Sequence, residues 1–141
     1  MATTDINHRA LRVLVVDDHE LMRAGVRTIV SHNPLWEICG EAENGKEAVA
    51  KTQDLKPDLV VIDISMPQMN GIDATREIRR AAPATKIIIL TMHESRQLIF
   101  AAQHAGADEV ITKRMAAESL KSAIERVFDV SPPGHDDLMQ E

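Results

Sequence analysis

Polar side chains stand directly after apolar runs at several places in the chain. In the stretch VLVVDDHE, four apolar residues lead straight into Asp17 and Asp18, and a second run, LVVI, leads into Asp63. Thr91 follows the run IIIL, and Lys113 follows VIT. β-Branched runs of this kind are typical of buried strands, whereas carboxylates need water or a partner. The chain therefore offers three acids, a hydroxyl and an amine at the ends of candidate strands.

Three carboxylates that share one cleft require a positive partner. Two unit charges about 4 Å apart repel by roughly 4 kcal/mol at an effective dielectric constant near 20. The acids must therefore either raise their pKa values or hold a cation. Lys113 compensates in part, and hard oxygen ligands suit Mg²⁺, which also binds phosphate oxygens. A carboxylate, a divalent cation, a hydroxyl and an amine around one point form a site for phosphoryl transfer, with the carboxylate as a possible nucleophile.

The histidines and the cysteine point to no second metal. The six histidines are scattered without the spacing of a zinc site, so we expect surface or core positions for them. Cys39, the one cysteine, is expected to be a small buried hydrophobic residue.

The elements that must position these groups alternate between two hydrophobic periods. Short apolar runs predict five strands, at residues 11–16, 36–42, 58–63, 86–91 and 108–112. The segments between and after them have helical periodicity, with a capping sequence at Asn44 and a helix-ending glycine at Gly106. The pattern predicts an α/β fold, a doubly wound (βα)5 unit whose five parallel strands are in the order 2-1-3-4-5. In such a sheet ligands bind at the carboxyl ends of the strands, where the five polar groups converge.

Composition limits the class of protein. A chain of 141 residues predicts one domain, at 11–130, flanked by an N-terminal tail (1–10) and a linker-like C-terminal tail (131–141). With 16 basic and 22 acidic residues the net charge is −6, which argues against direct nucleic-acid binding by this chain. The sequence has neither a membrane-spanning apolar run nor a signal peptide. We therefore expect a soluble cytoplasmic domain without membrane contact.

Four motifs together resemble a known family. VLVVDDHE, VVIDISMPQMNGID, IIILTMH and GADEVITK are similar to the receiver domain of two-component response regulators, in the style of the NarL/FixJ group. The resemblance covers about residues 11–130 and implies the flavodoxin-like, CheY-like arrangement of the sheet. It also implies a phosphoacceptor switch in a phosphorelay, which catalyses only its own phosphorylation and dephosphorylation.

The resemblance carries roles to individual residues. It implies that Asp63 is the phosphoacceptor, that Thr91 is the switch hydroxyl and that Lys113 pairs with a phosphoryl oxygen. The implied Mg²⁺ ligands are the carboxylates of Asp17, Asp18 and Asp63 and the backbone carbonyl of Ser65. Met66, Pro67 and Gly71 match the loop after the phosphoacceptor.

The implied partners are proteins. A sensor histidine kinase or phosphotransfer protein would supply the phosphoryl group. A downstream protein or a second copy would bind through residues 91–115 and the last helix. The resemblance suits a stand-alone receiver as well as the receiver part of a longer, DNA-binding transcription regulator.

Two alternative functions remain. The first is an Mg²⁺-dependent aspartyl-phosphate phosphohydrolase, although such enzymes commonly carry a second acid where this chain has Ser65. The second is an unphosphorylated receiver-like scaffold, which the complete set of acids, threonine and lysine opposes.

The chain departs from the family pattern at two positions. Val110 stands where relatives usually carry an aromatic switch residue, three positions before the lysine. Arg114 stands where many relatives have a proline, often in a cis bond. We therefore expect no aromatic switch and an altered loop after Lys113.

Overall fold

The computed structural model describes residues 10–66 and 68–128. Pro67, the C-terminal tail and all but the last residue of the N-terminal tail lie outside this part. The strands are β1 (Leu11–Val16), β2 (Trp36–Ala42), β3 (Leu59–Asp63), β4 (Lys86–Thr91) and β5 (Glu109–Thr112). The helices are α1 (Glu20–Ser31), α2 (Gly45–Leu55), α3 (Gly71–Ala81), α4 (Arg96–Ala105) and α5 (Ala116–Val127), and a short 3-10 turn, Lys113–Met115, precedes α5.

The five strands form one parallel sheet in the order β2-β1-β3-β4-β5, which confirms the predicted fold. Alternate residues of the central strands point to opposite faces. One face packs against α2, α3 and α4 through Leu14, Val16, Val60, Ile62, Ile87 and Ile89. The other packs against α1 and α5 through Val13, Val15, Leu59, Val61, Ile88 and Leu90. Burial on both faces explains why these strands have continuous apolar sequences.

β3 and β5 each begin one residue later than predicted. In both cases the predicted first residue is an aspartate, whose side chain accepts a hydrogen bond from the backbone of a neighbouring strand. Asp58 precedes β3, and its carboxylate accepts a hydrogen bond from the backbone N–H of Arg12 at 2.9 Å. Asp108 precedes β5 and accepts one from the N–H of Ile87 at 2.8 Å. These side chains serve the amino-terminal edge of the sheet, opposite the candidate site.

The predicted helix ends are confirmed. The side chain of Asn44 accepts a hydrogen bond from the N–H of Glu47 at 2.8 Å, so it caps α2. The returning Glu47 carboxylate accepts from the N–H of Glu43, one residue earlier than in a standard capping box. Gly106 ends α4 with a positive φ of 121°, a conformation that favours glycine. Among the described residues no helix is both long enough and apolar enough to cross a bilayer.

Candidate functional site

Asp17, Asp63 and Lys113 meet at the carboxyl edge of the sheet. β1 and β3 are neighbours with Val16 opposite Ile62, so the next residues, Asp17 and Asp63, leave the sheet side by side. Both acids are only 2% exposed. Lys113 follows β5, and its Nζ lies 3.0 Å from Asp17 Oδ2 and 3.2 Å from Asp63 Oδ1. One buried ammonium thus bridges two buried carboxylates.

The electrostatics of this trio leave an excess of negative charge. Burial, and then the nearby charge of Asp17, raise the pKa of Asp63. The charge of Lys113 and a hydrogen bond from the Ser65 backbone N–H oppose that rise without cancelling it. Burial alone would lower the pKa of Lys113, but its contacts with Asp17 and Asp63 outweigh burial and raise it. The lysine therefore stays charged while the two acids compete for it.

Asp18 and His19 complete the cluster on its solvent side. The carboxylates of Asp17, Asp18 and Asp63 and the ring of His19 each offer a ligand atom, and these atoms all lie within 4.8 Å of one another. His19 Nδ1 lies 3.1 Å from Asp17 Oδ1 and 3.2 Å from Asp18 Oδ1. No metal role was predicted for this histidine from the sequence. Its place immediately after two acids was the signal available there.

The acidic cluster fits a divalent cation. Asp17 Oδ2 is buried and receives no well-oriented hydrogen bond from the described residues, although Lys113 is in ion-pair contact with it. Such an oxygen retains a lone pair that a cation could use, and three carboxylates suit a hard divalent ion. Ser65 is exposed directly after Ile64, at the rim of the cluster. Its carbonyl as a ligand stays a prediction.

Thr91 lies at the same edge but is not joined to the acids. It is the last residue of β4 and is 1% exposed. Its hydroxyl donates to the carbonyl of His93 at 3.2 Å and accepts from the N–H of His93 at 3.1 Å. The hydroxyl is therefore held by the loop after β4. To donate to a group on Asp63, it must give up its hydrogen bond to the His93 carbonyl.

The two departures from the family pattern have structural outcomes. Val110 packs, partly buried, against the core on the α2–α3–α4 face. No peptide bond of the described residues is cis, the Lys113–Arg114 bond included. The 3-10 turn that begins at Lys113 is closed by the side chain of Thr112, which accepts a hydrogen bond from the N–H of Met115 at 3.3 Å. The exposed Arg114 side chain reaches Glu94 at 3.4 Å.

The loop after Asp63 depends on a close approach at Gly71. The N–H of Gly71 donates to the carbonyl of Ile64 at 2.9 Å. A Cβ at Gly71 would lie 2.2 Å from the backbone oxygen of Asp63, so no other residue fits without a shift of the loop. Gln68 and Met69 within the loop have positive φ values of 52° and 81°. Tight backbone packing therefore sets the position of Asp63.

Arg23 is a positioning residue that sequence reasoning missed. It is 8% exposed on the inner face of α1, and its Nη1 donates to the backbone carbonyl of Asp17 at 2.6 Å. Its Nε donates to Glu41 on β2 at 2.8 Å, and its Nη2 donates to Glu20 at 2.6 Å. Arg23 thus ties the loop that carries the acidic pair to the neighbouring strand. An arginine three positions before the buried Val26, on the apolar face of an amphipathic helix, was the available signal.

This sheet order, with acids, a threonine and a lysine gathered at its carboxyl edge, defines the class of phosphoacceptor receiver domains. The chain belongs to that family: the model of the response regulator receiver domain matches residues 13–125. The family also confirms the resemblance on which the expected signalling role rests.

Individual relatives agree with this assignment. The response regulator protein VraR of Staphylococcus epidermidis is 35% identical over 120 residues, which are 85% of this chain and 57% of the relative. The chain thus spans little more than half the length of that relative. A two-component response regulator of the LuxR family from Aurantimonas is 36% identical, with a TM-score of 0.80 and 84% of each chain covered. CheY in the CheX-CheY-BeF3-Mg complex of Borrelia burgdorferi is 25% identical, with a TM-score of 0.82, and the match covers 88% of this chain and 93% of that chain.

Proposed function

We propose that Asp63 accepts a phosphoryl group from a phosphohistidine on a sensor kinase or a phosphotransfer protein. A carboxylate oxygen of Asp63 forms the new bond to phosphorus while the bond from phosphorus to the histidine nitrogen breaks. The electron pair of that bond stays on the nitrogen. The result is an acyl phosphate on this chain and a free imidazole on the donor.

The observation that carries this proposal is the bridging position of Lys113. Its ammonium lies 3.2 Å from Asp63 Oδ1 and is buried, so it is close enough to pair with an oxygen of an incoming phosphoryl group. Asp17 holds the same ammonium from the other side at 3.0 Å. The ammonium therefore orients Asp63 and opposes the rise in its pKa, which favours the ionised, nucleophilic form.

We propose that the cation is Mg²⁺, held by the carboxylates of Asp17, Asp18 and Asp63 and by the carbonyl of Ser65. When bound, it offsets the charge of the carboxylates and of the phosphoryl oxygens. Two observations support this choice: the buried carboxylates of Asp17 and Asp63 share a single ammonium, and the chain is similar to CheY in the Borrelia complex with BeF3 and Mg. Thr91 would then leave the His93 backbone and donate its hydroxyl to a phosphoryl oxygen.

The test is labelling by a small phosphodonor, read by phosphate-affinity electrophoresis. We expect a shifted band only with Mg²⁺, and none in the Asp63→Asn variant. Asp73→Asn is the matched control, because Asp73 is an exposed acid on α3 that pairs with Arg76 and lies outside the cluster. Equal labelling without Mg²⁺, or in the Asp63→Asn variant, would contradict the assignment.

We propose that residues 91–115, together with α5, carry the signal to a downstream protein or a second copy. Three large hydrophobic side chains in this range are exposed: Met92 by 68%, Phe100 by 67% and Met115 by 41%. Phe100 also stacks on His104, with ring centroids 5.6 Å apart. Large apolar side chains exposed within one range of the chain favour a protein partner for that range. The net charge of −6 opposes binding to nucleic-acid phosphates by this chain alone.

A further inference from the structure

His19 contacts the acidic cluster through its ring, whose Nδ1 lies within hydrogen-bond distance of Asp17 Oδ1, at 3.1 Å. It occupies the residue before α1, yet its side chain makes no capping hydrogen bond to the helix. Its side chain is 66% exposed, but the ring turns Nδ1 back onto two acids instead of into solvent. The backbone N–H of His19 separately donates to Asp17 Oδ1 at 2.9 Å, which fixes the start of the side chain beside the cluster.

The spacing of the donor atoms matches the coordination shell of a small divalent cation. Ligands at about 2.1 Å in octahedral geometry have neighbouring donor atoms roughly 3.0 Å apart. His19 Nδ1 is 3.1 Å from Asp17 Oδ1 and 3.2 Å from Asp18 Oδ1. The ligand atoms that the cluster offers all lie within 4.8 Å of one another, so one ion could be shared among them.

The charge balance around Asp17 also favours a further cation. Asp17 is 2% exposed, and its Oδ2 pairs with the Lys113 ammonium at 3.0 Å, which Asp63 Oδ1 also contacts at 3.2 Å. Two buried carboxylates that share one ammonium leave an excess of negative charge, which a divalent ion would offset. The acids alone would suit a hard ion such as Mg²⁺, but a ring nitrogen beside them changes the preference.

We propose that His19 is a nitrogen ligand of this cation site and gives borderline first-row ions, with Ni²⁺ as the probe, an added affinity that Mg²⁺ does not gain. Imidazole suits Ni²⁺, whereas Mg²⁺ prefers oxygen ligands and retains its waters. The proposal rests on the cation site of the proposed function and adds a residue and a metal preference to it.

The experiment is calorimetric titration of the tag-free protein with Ni²⁺ and, separately, with Mg²⁺. For His19→Ala we expect Ni²⁺ affinity to fall at least tenfold, since even an outer-shell partner is worth about 10- to 100-fold, while Mg²⁺ affinity is unchanged within error. His104→Ala is the matched control, because His104 is an exposed histidine on α4 away from the cluster. It should bind both ions as the parent does. Mg²⁺ should also compete with Ni²⁺, because the two share the carboxylates.

Three outcomes would overturn the proposal. Unchanged Ni²⁺ affinity in His19→Ala would show that the ring is not a ligand. Equal losses for both ions would show that His19 only positions the acids. If the parent binds Mg²⁺, Ni²⁺ binding that Mg²⁺ does not weaken would place Ni²⁺ at another site.

Failure of the proposed function gives a different pattern. If the parent protein binds Ni²⁺ through His19 but shows no Mg²⁺ binding, the Mg²⁺ assignment is wrong and the ligand role of His19 is supported. If Mg²⁺ binds and Asp63→Asn lowers the Mg²⁺ affinity, while His19→Ala leaves the Ni²⁺ affinity unchanged, only the inference about His19 is wrong.

Discussion

At the scale of single residues, the site keeps charges that the folded state would be more stable without. Asp63 is buried beside Asp17, and the one ammonium of Lys113 is shared between them. Raised pKa values at functional sites are the usual sign of such an arrangement. The excess negative charge that lowers the stability of the metal-free site also favours the binding of a cation there.

The Asp63→Asn variant should be more stable than the parent without metal at neutral pH. Burial and Asp17 raise the pKa of Asp63 in the folded state. The stability contributed by neutral Asp63 is therefore present below its unfolded pKa and is lost as pH rises through the folded value. Asparagine never suffers that loss, so the advantage of the variant should grow with pH. Urea unfolding in chelator at several pH values checks this, and a variant less stable than the parent at neutral pH would contradict it.

Lys113→Met should destabilise the apo protein strongly near pH 7. Its contacts with Asp17 and Asp63 raise the pKa of Lys113, so its stabilising contribution is present below the unfolded pKa and lost only as pH rises through the higher folded value. Breaking a buried pair typically costs about 3–5 kcal/mol, because it leaves a buried charge without a partner. The loss should shrink at lower pH, where the acids take up protons. Lys121→Met, at an exposed position on α5, is the control, and similar losses in both variants would refute the bridging role.

At the scale of elements, the loop between β3 and α3 is set by backbone contact. A Cβ at Gly71 would lie 2.2 Å from the backbone carbonyl oxygen of Asp63 and 2.8 Å from Ile64 Cα. Gly71→Ala should therefore cost about 1–3 kcal/mol, as overpacking usually does, and should slow phosphorylation by moving Asp63. Chemical unfolding and the labelling assay measure the two effects.

Gly25→Ala is the control for that substitution. Nothing lies within 4 Å of a Cβ at Gly25, on the outer side of α1. Alanine in a helix is preferred over glycine by about 0.5–1 kcal/mol, so this variant should be slightly more stable than the parent. If Gly71→Ala behaves in the same way, the loop after Asp63 does not need the close approach.

At the scale of the whole molecule, phosphorylation should act on one side of the sheet. Thr91 and Lys113 bracket β5 and the loop after β4, and Thr91 lies opposite Thr112 in the strand pair. Moving the Thr91 hydroxyl from the His93 backbone to a phosphoryl oxygen strains that loop. Val110 cannot supply a large aromatic rearrangement, so we expect modest backbone shifts.

Amide hydrogen exchange with and without Mg²⁺ and beryllofluoride, a phosphoryl mimic, tests this. Direct effects of the ligand are expected at residues 17–18 and 63–71. Beyond them, changes should cluster in residues 91–115, and Asp63→Asn should show none of these changes. Changes confined to α1 and α2 would place the signalling face elsewhere.

The sequence by itself determined the sheet and the edge of the sheet at which the predicted site residues lie. Strands that are buried on both faces can be located from the sequence, because they have continuous β-branched runs. Their order then follows from the few crossover connections that are allowed. Strand ends then place Asp17, Asp63 and Lys113 at a common edge. Such inference works because each residue's position follows from the strand that precedes it.

Only the tertiary structure decided what individual side chains of the same type do. Asp58 and Asp63 stand at opposite ends of one strand, yet the first accepts a backbone hydrogen bond and the second contacts a buried ammonium. Arg23 reaches Glu41 on β2, and the His19 ring turns toward Asp17 and Asp18. Thr91 faces a backbone loop instead of the acids. The physical reason is that hydrogen bonds and charge contacts depend on side-chain direction and on distances of about 3 Å, which hydrophobic periodicity does not encode.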